Sequence, residues 1–252
     1  MSPIPASNRL LPLPGAVIKV YREAWRAETE KAALRRLADA RISAPSILGS
    51  GRLFQREFLV MRRLCGSSVG RTERAAHQII TYLQAVHRIT GPGFGRLSSP
   101  LAPRWNDYLR QRLVSYRDAL IEHRHYGAAE TADALAGTQL PEPPAPSLLH
   151  NDPEPANFLQ LRGRTDTAGL DWELAVYGDP DLDYARVGHS LGIGAERLGD
   201  LLSNHGVAYH PHSLGIYRRV HLLGRLMSSV TALPPDQTSA ERHLHDLNSC
   251  AR

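Results

Sequence analysis

Four groups in this 252-residue chain are of types that can do chemistry, and they come in a fixed order. Lys19 stands between Ile18 and Val20, a cation inside an apolar run. Glu30 follows in a stretch of helical periodicity, with Glu28 as its competitor. The loop His150-Asn151-Asp152-Pro153-Glu154-Pro155-Ala156-Asn157 sets a carboxylate and an amide between two apolar pieces. Asp171 follows Gly169-Leu170 and precedes Trp172-Glu173. A carboxylate of this kind can take up a proton, and carboxylate and amide oxygens can offer hard ligands to a small divalent cation. Each group also has a plainer reading. Asp152 and Asn157 could bond the local backbone of a proline-rich turn. Lys19 could be an edge-strand lysine that discourages aggregation, and Glu30 a solvated charge on a helix face.

The elements around them define what must hold these groups. Ala16–Tyr21 reads as a short buried strand. Glu23 to about Ala40 is an amphipathic helix with Ala27, Leu34 and Leu37 on one face. Residues 42–51 (ISAPSILGSG) read as a turn, and Glu57–Leu64 as a second apolar strand closed by Gly66. Thr72–Arg88 and Trp105–His123 carry the 3.6-residue period of helices. After the proline-rich break at 141–147 come apolar pieces at 147–149 and 158–161, on either side of the polar loop. From Tyr184 onward the chain is mostly helical, with loops near 206–212 and 234–237. Asp179 and Asp183 read as helix-cap and loop-bracing groups, His150 as a brace of its loop, and Trp172 as a packing residue. The fold class is α+β, with residues 1–65 forming a small mixed lobe and residues 66–252 a larger, mainly helical one.

Composition excludes several classes. Length alone bounds the chain at one or two domains, roughly 1.7 by the usual domain size. Two cysteines cannot build a disulfide framework or a four-thiolate zinc site, so a reduced, cytoplasmic setting is expected. No apolar run approaches a membrane span, and residues 1–15 lack a basic head followed by an apolar stretch, so no secretory signal is expected. The formal charge is +5, from 30 basic and 25 acidic residues, yet only Lys19 and Lys31 are lysines. The arginines are scattered and aromatics make up 6%, which argues against nucleic acid as a partner. The pairs His123/His125 and His210/His212 lack zinc-type partners and read as surface or capping residues.

The segments VIKVY, EKAALRRL, FLVMRRLCG, LLHNDPEPANFL and GLDWELAVYGDPDLDYA together resemble the aminoglycoside phosphotransferase and choline kinase family, a branch of the protein-kinase-like fold. The resemblance runs from about residue 16 to the end, and is strongest in H-x-D-x-x-x-x-N followed 14 residues later by Asp171. It implies a two-lobe kinase-like fold and a phosphotransferase that uses ATP or GTP with Mg²⁺ on a hydroxyl of a small molecule. The implied acceptors are antibiotics, aminoglycosides among them, or related metabolites. Asp152 would accept or orient the hydroxyl proton, and Asn157 and Asp171 would offer oxygens to Mg²⁺. Lys19 would contact the phosphates, held by an ion pair to Glu30. The strand running into Met61, Arg62, Arg63 and Leu64 would present backbone groups to the purine. Protein substrates are disfavoured, because no activation-segment pattern follows the metal-type aspartate.

The chain departs from that family at its front. Members place two strands and a flexible phosphate-covering loop ahead of the lysine strand. Here only 18 residues precede Lys19, with four prolines (Pro3, Pro5, Pro12, Pro14) and a single glycine. The expectation is a reduced N-terminal lobe with that loop absent or cut back, through a misassigned start, a minimal lobe, or weakened transfer. A kinase-like protein that binds a metabolite without efficient transfer is the competing function. The acceptor is open too. A polycationic acceptor favours carboxylates lining its cleft, and Asp107, Asp118, Glu122, Glu130 and Asp133 share their region with many arginines.

Overall fold

The computed structural model describes residues 8–163, 166–232 and 234–250. Pro3 and Pro5 of the proline-rich start lie outside them. The first sheet is built from β1 (Arg9–Leu13), β2 (Ala16–Val20), β3 (Ile47–Leu53) and β4 (Arg56–Arg62), all antiparallel in the order β1-β2-β4-β3. Pro12 is tolerated because β1 is an edge strand. Lys19 is paired on both sides, opposite Leu10 and Leu59, so it does not guard an edge. Among the described residues one strand precedes β2, joined to it through Pro14 and Gly15, whose φ of 73° needs a glycine.

Residues 47–53 correct the turn expected over 42–51. The sequence Gly49-Ser50-Gly51 carries no strand signal, but Gly51 lies under the ring of Phe58 on β4, where a Cβ would come within 2.9 Å. Close approach, not propensity, sets that strand. Between β2 and β3, α1 (Ala24–Asp39) buries Ala27, Glu30, Ala33, Leu34 and Leu37.

The remaining strands form two small sheets. β6 (Gly95–Arg96), β10 (Val176–Gly178) and β7 (Ser147–Leu149) make one, in that order. β5 (Gly66–Ser68), β8 (Phe158–Leu161) and β9 (Thr167–Gly169) make the other. The chain crosses between them twice, in opposite directions. It leaves β7 through residues 150–157 to enter β8, and leaves β9 through residues 170–175 to enter β10. The N–H of Leu170 donates to the carbonyl of Asn157 at 2.8 Å and prolongs the ladder. This antiparallel crossing brings the polar loop alongside Asp171.

The helices are α2 (Glu73–Val86), α3 (Trp105–Glu122), α4 (Tyr126–Ala136), α5 (Pro180–Leu191), α6 (Ala195–Asn204), α7 (Pro211–Val230) and α8 (Gln237–Ser249). Thr72 caps α2 by accepting the Ala75 N–H at 3.2 Å. The alanine-rich α4 was not expected. α5 starts four residues earlier than expected, because Asp179 caps it and Pro180 takes the first helical position. Deep in the core, Trp105 Nε1 donates to the Tyr217 hydroxyl (2.7 Å), which donates to Asp179 (2.6 Å), tying α3 and α7 to the start of α5. Both cysteines are free. Among the described residues, no helix is long and apolar enough to cross a membrane.

The start of α5 carries a pH-dependent strain. The Asp181 carboxyl is buried beside Asp179, and burial, then that like charge, push its pKa from 3.8 up to about 7. The folded state therefore holds this proton more tightly than the unfolded chain. The stability associated with the neutral carboxyl is complete below 3.8 and is lost as pH rises toward about 7. Asp181→Asn keeps an acceptor for the His210 N–H (2.8 Å) and removes the charge. The variant should gain stability relative to the parent between pH 5 and 8, read as thermal midpoints; parallel curves would refute this origin.

Candidate active site

Lys19 and Glu30 are 4% and 1% exposed, and the salt bridge between them spans 2.7 Å from Nζ to Oε2. Helical period explains the choice of Glu30: it falls on the buried stripe with Ala27, Leu34 and Leu37, whereas Glu28 faces outward beside Lys31. The Tyr21 hydroxyl donates to Glu30 Oε2 (2.6 Å) and the Trp172 N–H to Oε1 (3.1 Å), so the buried carboxylate is fully bonded. The same Nζ lies 2.5 Å from Asp171 Oδ1 and 2.8 Å from Glu173 Oε2. Burial lowers the proton affinity of this ammonium, but Glu30, Asp171 and Glu173 outweigh it and hold it above the ordinary lysine range.

Oxygens of Glu30, Asp171 and Glu173 all fall within 4.8 Å of one another. The Lys19 ammonium at their centre accounts for that gathering. Asp171 is the open member, its side chain 47% exposed. Its φ is 61°, and Asn151 in the facing loop has φ 64°; Asp and Asn are residue types that tolerate this left-handed region. Arg26 Nη1 donates to Glu173 (2.7 Å) and Asn8 Nδ2 also bonds it.

A cavity of about 710 Å³ opens here, lined by Lys19, Glu30, Met61, Arg62, Arg63, Leu64, Asn157 and Asp171. These are the eight residues expected from the sequence to hold nucleotide and cation. Asp152 does not line it and stands beyond its edge. The amides of Arg62 and Arg63 are engaged inside the fold, donating to Ser46 O (2.8 Å) and Gly15 O (3.0 Å).

The loop itself is braced from three sides. Asp183, fully buried, accepts the N–H of His150 (2.8 Å) and of Asn151 (2.7 Å). His150 Nε2 bonds the Leu170 carbonyl (2.8 Å), and its ring lies 4.4 Å from that of Trp172. Asn157 Nδ2 donates to the carbonyl of Asp152 (2.9 Å), which leaves the amide oxygen as the atom for a ligand. His150 and Trp172 thus brace and pack, and Asp179 and Asp183 cap and brace, as their positions predicted.

Arg186 is the residue the sequence did not single out. It is 2% exposed on α5, one turn after Asp183, and its Nε and Nη2 donate to Asp152 Oδ1 at 3.3 and 3.2 Å. Nη2 also bonds Glu154, which Arg225 Nη1 bonds from α7. The available signal was an arginine inside the apolar run Tyr184-Ala185-Arg186-Val187. Burial raises the Asp152 carboxyl, Arg186 opposes and Glu154 adds to the rise; the net result is a proton affinity above the ordinary carboxylate range. A carboxylate of that kind, beside a cleft with one ammonium and several oxygen donors, can receive a hydroxyl proton while the cleft holds a phosphate chain.

A family model described as the phosphotransferase enzyme family matches residues 14–223. No curated protein matches the chain. Among solved structures, a thermostable mutant of aminoglycoside phosphotransferase APH(4)-Ia superposes with a TM-score of 0.67 at 17% identity, over 97% of this chain and 93% of that one. The choline kinase LicA from Streptococcus pneumoniae gives 0.64 at 14% identity, over 99% and 92%. The macrolide 2'-phosphotransferase MphH from Brachybacterium faecium gives 0.58 at 18%, over 97% and 91%. LicA is also solved in complex with AMP. At these identities the likeness is one of fold.

Proposed function

Because the chain belongs to the phosphotransferase enzyme family, we propose that it transfers a phosphoryl group from ATP or GTP, with Mg²⁺, to a hydroxyl of a small molecule, an antibiotic or a related metabolite. The observation that carries this is the buried Lys19–Glu30 pair in direct contact with Asp171 in the wall of one cavity, with Asp152 3.5 Å from the cavity residue Asn157. The complex of LicA with AMP supports a nucleotide as a ligand of this chain.

In this reading the phosphates draw Lys19 from Asp171 while Glu30 keeps the ammonium in place. Asp171 and the amide oxygen of Asn157 would hold the cation; a carboxylate and an amide are hard donors of the kind Mg²⁺ takes. When bound, the cation neutralises charge on the transferring phosphate. With the N–H groups of Arg62 and Arg63 engaged, the N–H of Leu64 would serve the purine at that end of the strand. Asp152 orients the acceptor hydroxyl and takes its proton.

The test is nucleotide titration with Mg²⁺, followed by ADP release across a panel of hydroxylated antibiotics and metabolites. Lys19→Met should lower kcat/KM for nucleotide by about 10²-fold, the scale of losing one charge-stabilising donor. No nucleotide binding at millimolar concentration would sink the proposal. The second reading, a binder that transfers little phosphate, is favoured by the short Pro14-Gly15 turn leading into the lysine strand. It predicts nucleotide binding without ADP release for any acceptor.

A further inference from the structure

Around Asp152 and Glu154, outside the lining of the nucleotide cavity, the structure gathers arginines. Arg186 comes from α5, and Arg218, His221 and Arg225 follow one face of α7 at i, i+3 and i+7. α8 adds His243, whose Nε2 accepts from Arg225 Nε at 3.3 Å. Asp152 and Glu154 are both engaged by Arg186, and Glu154 by Arg225 as well. Arg218 has no ion-pair partner among the described residues, and its Nε is buried without a hydrogen-bond partner. Arg71 adds positive charge at Glu154, Arg242 at His243 and Arg112 at His221.

The neighbouring histidines are all shifted downward. Burial, then Arg186, Arg218 and Arg225, push His189 down to about 4, with Asp246 pulling the other way. His221 is lowered by burial, then by Arg186 and Arg112; His243 by burial and then Arg225. Burial is the first cause of all three shifts, and guanidinium charge acts in the same direction. The acidic residues that would favour a polycation lie elsewhere: Asp118 and Asp133 pair with Arg117 on α3 and α4, and none of the set lines the nucleotide cavity.

We propose that the acceptor carries an anionic group, a carboxylate or a phosphate, close to its reacting hydroxyl, and that Arg218 and Arg225 hold it. The inference rests on the phosphotransfer reading above and names the substrate class for that site. The hydroxyl oxygen bonds the terminal phosphorus of the nucleotide as the bond to the bridging oxygen breaks; the hydroxyl proton passes to Asp152 and the nucleoside diphosphate leaves. The anionic group takes no part in bond making. Paired with guanidiniums, it fixes the hydroxyl over Asp152 and offsets the positive charge that Asp152 and Glu154 leave unmatched.

The experiment is calorimetric titration of the full chain, saturated with Mg²⁺ and a non-hydrolysable ATP analogue, with glucose, gluconate, glucose 6-phosphate and kanamycin. Gluconate or glucose 6-phosphate should bind at least tenfold more tightly than glucose, and whichever of the two is tighter identifies the group. Arg218→Ala and Arg225→Ala should each abolish that tenfold preference, and Arg225→Lys should keep part of it. Thermal melts confirm that each variant is folded, and Arg218→Ala, which breaks no ion pair, keeps the test open if Arg225→Ala unfolds. Equal binding of glucose and its anionic forms, no binding of any of them, or tightest binding of kanamycin overturns the inference. Failure of the nucleotide analogue to bind, seen before any acceptor is added, brings down the phosphotransfer reading and this inference with it.

Discussion

Asp152→Asn should lower kcat by about 10³-fold, within the range for loss of a positioned general base, while nucleotide affinity changes less than threefold. The two effects separate because Asp152 stands outside the cavity lined by Lys19, Glu30, Asn157 and Asp171. The variant should fold, since Arg186 keeps Glu154 as its partner and the loop is fixed by other bonds. A second signature is the acid limb of the parent's pH–rate profile. With burial and Glu154 outweighing Arg186, that limb should lie above the ordinary carboxylate range and vanish in the variant. A fully active Asn variant, measured by steady-state ADP release, would remove Asp152 from the chemistry altogether.

Asp183→Ala should be among the most destabilising single substitutions in the chain, by about 3–5 kcal/mol. Its carboxylate is fully buried and serves His150 N–H, Asn151 N–H and His87 Nε2 at 2.8, 2.7 and 3.1 Å. Each buried donor left without an acceptor costs about 1–3 kcal/mol, and the backbone cannot turn away to find water. In a chain of this size the loss corresponds to roughly 10 °C in Tm. Asp183→Asn keeps one acceptor and should fall between the two. Activity in Asp183→Ala should fall further than the folded fraction explains, because the two amides set the entry of the loop that ends at Asp152. A Tm within two or three degrees of the parent, by calorimetry, would show that the loop is held by something else.

What the sequence made legible was what lies close along the chain. The loop with Asp152 and Asn157, and Asp171 in its apolar-Asp-Trp-Glu setting, are short patterns whose spacing survives folding unchanged. Glu30 was legible through helical period, since 27, 30, 34 and 37 share a face. Other features depend on partners far along the chain. Arg186 reaches Asp152 across 34 positions, and Glu173 reaches Lys19 across 154, so neither pairing leaves a local trace. β3 was hidden because Gly51 serves the ring of Phe58 instead of the strand's own propensity. α4 was hidden because its buried face is Ala128, Ala129, Ala132 and Ala136 with Leu135 as its one large apolar side chain, so no strong apolar stripe marks it.

The way the loop is suspended has a consequence for how such a protein can change over evolutionary time. Its backbone hangs from Asp183 on α5, and the facing segment is anchored through Glu30 and the Trp172 N–H to α1. By contrast, α7 meets the loop through a single ion pair, Arg225 with Glu154, and α8 forms no ion pair with it among the described residues. The inner face of α7 is bound to α5 through Tyr217 with Asp179 and His221 with the Leu182 carbonyl, so changes there reach the loop. On the phosphotransfer reading, drift or selection acting on the outward residues of α7 and α8 can retune which molecule is accepted while the reacting groups keep their places.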